Sequence, residues 1–270
     1  MVSMTNTALD QTEQADIRVS VSGPVLTIVL TRPDKRNALT QAMYAAMTAG
    51  LEQAAADPGI RSVLIHGEGS VFCSGNDIAD FSKANSDSSA ATENEATRFI
   101  NTIATFEKPL VAAVQGLSTG IGLTMLLHCD VVVVTADAKI GAPFVPLGLC
   151  PEAGSSAILP ARIGYQKAYA VFALGQRLSG DEAVACGLAL EVQPDLQACV
   201  TAAAGYADAL ALLPAESLRA TKALMRPKGS LDAQITAESQ VFAKLLSGPE
   251  AAEAFSAFRE KRKPDFSKIS

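Results

Sequence analysis

The chain holds only two histidines, His66 and His128, in 270 residues. Both lie beside apolar strands or helices, and no zinc-type spacing of Cys and His surrounds them. They read as structural, and no protein-bound metal is expected. The five cysteines, Cys73, Cys129, Cys150, Cys186 and Cys199, are odd in number, scattered and mostly inside apolar runs. That excludes a disulfide framework and suits reduced core thiols in a cytosolic compartment. No apolar run approaches the roughly 20 residues of a membrane span. The net charge of −6, with no basic block before the last few residues, argues against a nucleic-acid surface. The start has no signal-peptide apolar core, and Ser267-Lys268-Ile269-Ser270 is not the peroxisomal tripeptide. The expectation is a cytoplasmic protein. Apolar residues make up 49%, too many for disorder, and the length supports one large domain or one domain with an appendage.

What is present is organised around residues 108–130, KPLVAAVQGLSTGIGLTMLLHCD. The run 110–114 reads as a buried strand. Gln115, Gly116, Ser118 and Thr119 form a turn cluster. Gly120 and Gly122 then open a second apolar run, 123–127, read as a helix. Strand, glycine turn and helix in that order leave backbone N–H groups at a helix N-terminus, where negative charge is favoured. A lone Gly-x-Gly is a weak signal and equally fits a tight turn with no ligand.

Earlier in the chain, residues 1–15 are polar and read as a loose terminus. Alternation over 17–21, the turn Ser22-Gly23-Pro24 and the run 25–30 predict a hairpin. Residues 32–37 form a charged loop. Thr40 caps a helix with Ala42, Met43, Ala46, Met47 and Leu51 on one face, ending near Asp57-Pro58. Residues 60–65 are the next strand, so an α/β layout is expected. A glycine-containing loop, 66–77, leads to Asp77, a candidate cap for a short helix carrying Ile78, Ala79 and Phe81. Its N–H groups match those of the Gly120 turn, and two such turns can hold one oxyanion between them. The Ser/Ala/Asn-rich stretch 82–92 reads as a mobile surface loop. A helix follows with Ala96, Phe99, Ile100 and Ile103 on one face. Beyond it, 131–134 is a buried strand, 151–156 a turn into a helix, and Ser179-Gly180-Asp181-Glu182 a capping box. Residues 188–192 read as a last strand. Helices are expected over 195–211, 215–225, 231–246 and 249–260. The resulting organisation is a loose segment 1–15, a core 16–200 and a helical region 201–270.

The two glycine turns, with their spacing and flanks, resemble the crotonase family, the enoyl-CoA hydratase/isomerase superfamily. The matching pieces are Thr31-Arg32-Pro33 with Asn37-Ala38-Leu39, then Phe72-Cys73-Ser74-Gly75-Asn76-Asp77, Lys108-Pro109 through Gly116, and Gly120-Ile121-Gly122. Cys129-Asp130, residues 147–154 and Glu260-Lys261-Arg262-Lys263-Pro264 continue them in the family's order. The resemblance implies a spiral of β-β-α units, a helical C-terminal region, and trimers or dimers of trimers. It implies an acyl-CoA thioester as the ligand, with coenzyme A part of the substrate and no separate cofactor.

By position, the family's oxyanion hole falls on the backbone N–H groups of Asn76 and Ile121, with Ser74, Gly75, Ile78, Gly120 and Phe144 around the acyl thioester. Lys35 and Arg36 resemble residues lying along the CoA nucleotide. Phe258 and Lys261 resemble those that complete the CoA pocket, often from a neighbouring subunit. The two glutamates with which hydratases of this family handle water fall on Thr124 and Phe144, neither of them a general base at neutral pH. Glu152, in Pro-Glu-Ala-Gly, matches the glutamate of the peroxisomal-type Δ3,Δ2-enoyl-CoA isomerases. The expectation is therefore an isomerase with Glu152 as its single base. The alternatives are a residual hydratase, a decarboxylase or a thioesterase on the same scaffold, or a non-catalytic acyl-CoA-binding oligomer.

Overall fold

Burial along the strand Leu110–Val114 sets the architecture. Leu110, Ala112 and Val114 face one apolar cluster, while Val111 and Ala113 face another. A strand covered on both faces has no polar alternation, which is why 110–114 is a continuous apolar run.

The computed structural model describes residues 10–14, 16–78, 94–226 and 228–269. In order, it contains β1 (Asp10–Gln14), β2 (Ile17–Ser22), β3 (Val25–Leu30), α1 (Gln41–Ala56), β4 (Ser62–Gly67), β5 (Val71–Cys73) and α2 (Glu95–Thr105). Then come β6 (Leu110–Val114), β7 (Leu117–Thr119), α3 (Ile121–Thr124), β8 (Val131–Thr135) and β9 (Lys139–Gly141). The remainder is α4 (Ser155–Ile163), α5 (Tyr165–Ala173), β10 (Leu178–Ser179), α6 (Gly180–Ala185), β11 (Glu191–Gln193), α7 (Leu196–Ala211), α8 (Ala215–Met225), α9 (Lys228–Leu246) and α10 (Pro249–Arg259).

A seven-stranded sheet has the order β1-β2-β3-β4-β6-β8-β11, and a four-stranded sheet the order β10-β9-β7-β5. From β3 onward the large sheet is parallel, and so are β5, β7 and β9 in the small one. Each successive pair, β4–β5, β6–β7 and β8–β9, gives its first strand to the large sheet and its second to the small one. This is the stacked β-β-α layout that the resemblance implies. It also brings the C-terminal ends of β5, β7 and β9 side by side.

The two apolar clusters lie on opposite faces of the large sheet. One fills the space between the sheets beneath α1 and α2. The other is covered by α7, whose Cys199, Ala203, Ala207 and Ala211 recur every fourth residue and pack on Val25, Leu64, Val111, Ala113 and Val133. Small side chains let α7 lie close, and Ser62 Oγ donates to the Ala207 carbonyl at 2.8 Å.

Several expectations shift. Within the segment read as loose, β1 pairs with β2, Asp10 opposite Val21. The boundary at 200 falls inside α7, whose inner face belongs to the sheet core. The turn cluster at 115–119 contains β7, because Gly116 (φ +52°) redirects the chain into the small sheet. A Cβ on Gly116 would lie 2.0 Å from the Ser70 carbonyl oxygen, so no other residue fits that crossing. The helix expected over 123–127 is instead one α-turn followed by a 3-10 turn at Met125–His128. On α1, Met43, Ala46, Met47 and Leu51 are buried as expected, Tyr44 joins them, and Ala42 is exposed. Ala79, Phe81 and the loop 82–92 lie outside the described residues.

Candidate active site

Because β5 and β7 are hydrogen-bonded neighbours running the same way, the turns that follow them meet at one edge of the small sheet. That is the edge at which parallel sheets form ligand sites. After β5 come Ser74, Gly75 (φ +101°) and Asn76; after β7 come Gly120 (φ +60°) and Ile121. A Cβ on Gly75 would lie 3.3 Å from the Thr119 carbonyl oxygen, and one on Gly120 would lie 3.9 Å from the Gly75 Cα. The two turns are in contact.

Backbone hydrogen bonds fix the first turn on both sides of Asn76. Leu39 N–H donates to the Gly75 carbonyl at 2.9 Å, and Asp77 N–H donates to the Leu39 carbonyl at 2.8 Å. The Asn76 N–H between them has no acceptor among the described residues. Ile121 is the first residue of α3, so its N–H has no intrahelical acceptor either. These neighbouring donors suit an oxygen that gains negative charge. The Asn76 side chain is held separately, accepting at Oδ1 from the hydroxyl of Tyr44 on α1. Tyr44 is fully buried, its ring 5.5 Å from that of Phe99 on α2. Burial, with smaller contributions from Cys73 and Glu152, raises its pKa well above the ordinary tyrosine value.

The charged loop lies against the same turn. Buried Asn37 donates from Nδ2 to the carbonyls of Glu68 (3.0 Å) and Val71 (2.7 Å) and accepts at Oδ1 from Arg32 N–H (2.9 Å). Arg32 also pairs with Asp77 at 2.9 Å, and Ser74 N–H donates to the Arg36 carbonyl at 3.1 Å. Lys35 and Arg36 are exposed on this loop beside the Ser74 turn.

Glu152 enters from the turn before α4. Ala153 and Gly154 both adopt left-handed backbone, φ +58° and +73°, a strained pair for one of which a side chain is present. Thr124 Oγ1, from the last residue of α3, donates to Glu152 Oε1 at 2.5 Å. Burial pushes the Glu152 pKa up to about 7; the Thr124 hydrogen bond opposes the rise and the Glu238 carboxylate adds to it. Two further groups hold the turn. His128 lies 2.8 Å from the Ala153 carbonyl through Nε2. A carbonyl only accepts, so that nitrogen carries the proton; burial pushes the ring's pKa down to about 4 and keeps it neutral. From α9, Glu238 accepts from Gly154 N–H (2.5 Å), Ser156 N–H (2.9 Å) and the Ser156 hydroxyl.

Phe144 follows β9, the third strand of the row, and packs its ring 5.7 Å from that of Phe172. Leu149 N–H donates to the Phe144 carbonyl at 2.9 Å, and both side chains are buried. The fold thus gathers Ser74, Gly75, Asn76, Gly120, Ile121, Thr124, Phe144 and Glu152 around the ends of three adjacent strands and the turn beside them. Ile78 is half-buried at the end of the described part of its segment. Phe258, 62% exposed near the end of α10, and exposed Lys261 have no hydrogen bond or ion pair to this group among the described residues.

Sequence reasoning missed Tyr44 and Glu238. A signal for the second was present: Leu231, Ile235, Phe242 and Leu245 form an apolar stripe on α9, and Glu238 interrupts it. A carboxylate on a core-facing stripe needs a partner.

Comparison with known proteins agrees with this architecture. Residues 20–268 match the family described as Enoyl-CoA hydratase/isomerase. A probable enoyl-CoA hydratase of Bacillus subtilis is 32% identical over 85% of this chain and 90% of its own length. Enoyl-CoA delta isomerase 2 of Rattus norvegicus is 36% identical over 79% of this chain and 55% of its own length. The crystal structure of an enoyl-CoA hydratase/isomerase from Pseudoalteromonas atlantica superposes with a TM-score of 0.87 at 36% identity, covering 93% of this chain and all of that one. With paired β-β-α units, adjoining glycine turns and a match over nearly its whole length, the chain belongs to the enoyl-CoA hydratase/isomerase, or crotonase, family.

Proposed function

We propose that this enzyme of the enoyl-CoA hydratase/isomerase family is a Δ3,Δ2-enoyl-CoA isomerase with Glu152 as its only base. The observation that carries the reading is the Glu152 carboxyl, held at Oε1 by the Thr124 hydroxyl beside the glycine turns and with its pKa pushed up to about 7 by burial, with no second carboxylate at positions 124 and 144. The thioester oxygen accepts from the N–H groups of Asn76 and Ile121. Glu152 takes a proton from C2, and the electron pair of that C–H bond passes into the enolate. As the enolate collapses, the 3,4 double bond shifts to 2,3 and C4 takes the proton back from Glu152. The oxidation level does not change, so the step calls for no redox partner. A pKa near 7 lets one carboxyl both accept and return a proton at neutral pH.

Hydration is the second reading, favoured by the name of the Bacillus subtilis relative. It needs a group to activate water, and Thr124 and Phe144 supply none. The discriminating experiment is an ultraviolet assay with 3-enoyl-CoA and 2-enoyl-CoA in parallel. Isomerisation creates a conjugated thioester and hydration destroys one. Growth of the conjugated thioester from 3-enoyl-CoA supports the reading. Hydration of 2-enoyl-CoA without isomerisation rejects it.

The working unit in this reading is a trimer or a hexamer. Leu212, just after α7, and Leu224 and Met225, at the end of α8, are 84%, 83% and 77% exposed and offer apolar surface for a second copy. Phe258 and Lys261 then serve a neighbouring subunit's CoA site.

A further inference from the structure

Glu238 lies outside the groups that touch substrate in the proposed reaction, yet at 6% exposure it is the most buried carboxylate among the described residues. Its two oxygens accept three hydrogen bonds from the turn that carries Glu152: Gly154 N–H, Ser156 N–H and Ser156 Oγ–H. Gln234, one helical turn earlier on α9, donates from Nε2 to Ser156 Oγ at 2.7 Å. That hydroxyl therefore relays between Gln234 and Glu238. Leu231 and Ile235 of the same helix close over Gly154; a Cβ there would lie 2.4 Å from Leu231 Cδ1. Gly154, the residue before α4, has no side chain to satisfy the orphan N–H groups of that helix. Glu238 supplies the missing acceptor from another helix, with its negative charge at the positive end of α4.

We propose that Glu238 is a positioning residue for Glu152. It holds the left-handed Ala153-Gly154 turn closed and so fixes where the Glu152 carboxylate points. It works opposite His128, which holds the Ala153 carbonyl from the other side. The α9 helix thereby becomes part of the site's framework, so a change in the C-terminal helices reaches the base. The inference rests on the reading of Glu152 as the base.

Charge gives Glu238 a second effect. Among the described residues, the Thr124 hydroxyl from α3 donates to the Glu152 carboxyl, while buried Tyr44 from α1, the half-buried Cys150 thiol on its own segment and Glu238 from α9 lie close enough to feel its charge. Thr124 favours the ionised form, and Glu238 disfavours it. Neutralising Glu238 therefore makes Glu152 a stronger acid.

The test compares wild type, Glu238→Gln, Glu238→Asp, Ser156→Ala and Glu152→Gln as full-length protein. kcat, KM and the pH profile of 3-enoyl-CoA isomerisation are measured. The Glu152 carboxyl is also titrated by its infrared C=O band, as the difference against Glu152→Gln in each background. Glu238→Gln should lower kcat by about 10-fold to 10²-fold with KM nearly unchanged, the scale on which a misplaced catalytic group costs rate. Its acid limb and its infrared titration should both move to lower pH. Glu238→Asp keeps the charge and should keep the titration near that of wild type while still losing rate. Ser156→Ala, which leaves the buried carboxylate in place, should lose several-fold in kcat, and it decides the matter if Glu238→Gln does not fold. Wild-type kcat and an unmoved titration in Glu238→Gln, or in its absence wild-type kcat in Ser156→Ala, overturn the proposal while leaving Glu152 as the base. Full activity in Glu152→Gln overturns the reading beneath it instead.

Discussion

The hydroxyl of Thr124 donates to Oε1 of Glu152 at 2.5 Å. Thr124, the last residue of α3, thus serves the carboxylate of the turn before α4. This hydrogen bond favours the ionised form of Glu152, against the burial that disfavours it. Thr124→Val should therefore raise the Glu152 pKa above about 7 and move the acid limb of kcat to higher pH, opposite in direction to Glu238→Gln. A pH profile of isomerisation in the two variants checks both signs. An unmoved limb in Thr124→Val means that the carboxyl setting the profile is not Glu152.

Gly75→Val and Gly120→Val should be nearly inactive while still folding. At φ +101° and +60°, a β-branched residue costs about 1–3 kcal/mol of strain and displaces the Asn76 or Ile121 N–H. Loss of one such donor costs roughly 3–4 kcal/mol of transition-state stabilisation. Circular dichroism separates loss of fold from loss of the donor. Full turnover in either variant makes the turns merely structural.

Stability should depend on Glu152 with a defined sign. Its pKa rises from an ordinary 4.5 to about 7 on folding. Below pH 4.5 both states hold the proton and nothing is lost. Between pH 4.5 and about 7 the unfolded chain has released a proton that the folded one retains, so stability falls across that window and levels off above it. For this half-buried group, the loss is about 2 kcal/mol once solvent screening is allowed for. Urea unfolding should thus find Glu152→Gln more stable than wild type at about pH 8 and equal to it near pH 4.5. Equal stability at both values contradicts the raised pKa.

Much of the fold was legible because its elements obey a single period. The hairpin 17–30, the helix after Thr40, the strand 110–114, the capping box at Ser179 and the C-terminal helices were all readable from spacing and caps. β7 was not: three residues between two glycine turns carry no period, and only pairing between β5 and β9 makes them a strand. The site followed the same division. The turn glycines and Glu152 could be placed along the chain, but the side-chain bonds between distant segments could not. Asn76 was read as a main-chain donor alone, whereas its Oδ1 accepts from Tyr44, 32 residues away. Asn76→Ala should therefore destabilise the site, since an orphaned buried hydroxyl on Tyr44 costs about 1–3 kcal/mol. Glu238, 84 residues from the Gly154 it binds, gave only the local hint of an acid in an apolar stripe.

With no carboxylate at position 124 or 144 to activate water, hydration of 2-enoyl-CoA should be slow. Installing Thr124→Glu with Phe144→Glu should raise it, at a cost in stability from two buried carboxylates. Loss of the 2-enoyl-CoA absorbance, measured in both proteins, checks this. Wild-type hydration at the rate of a dedicated hydratase contradicts it.

The most direct measurement is the rate at which Glu152→Gln converts 3-enoyl-CoA to the conjugated 2-enoyl thioester. Glutamine keeps the shape of the side chain and can still accept from Thr124, but it cannot take a proton from C2. If Glu152 is the shuttle, kcat falls by at least about 10²-fold, the lower range for general base catalysis, while acyl-CoA still binds. Near-normal turnover in Glu152→Gln contradicts that assignment and moves the search for the base to Asp77, Glu107 or Asp130.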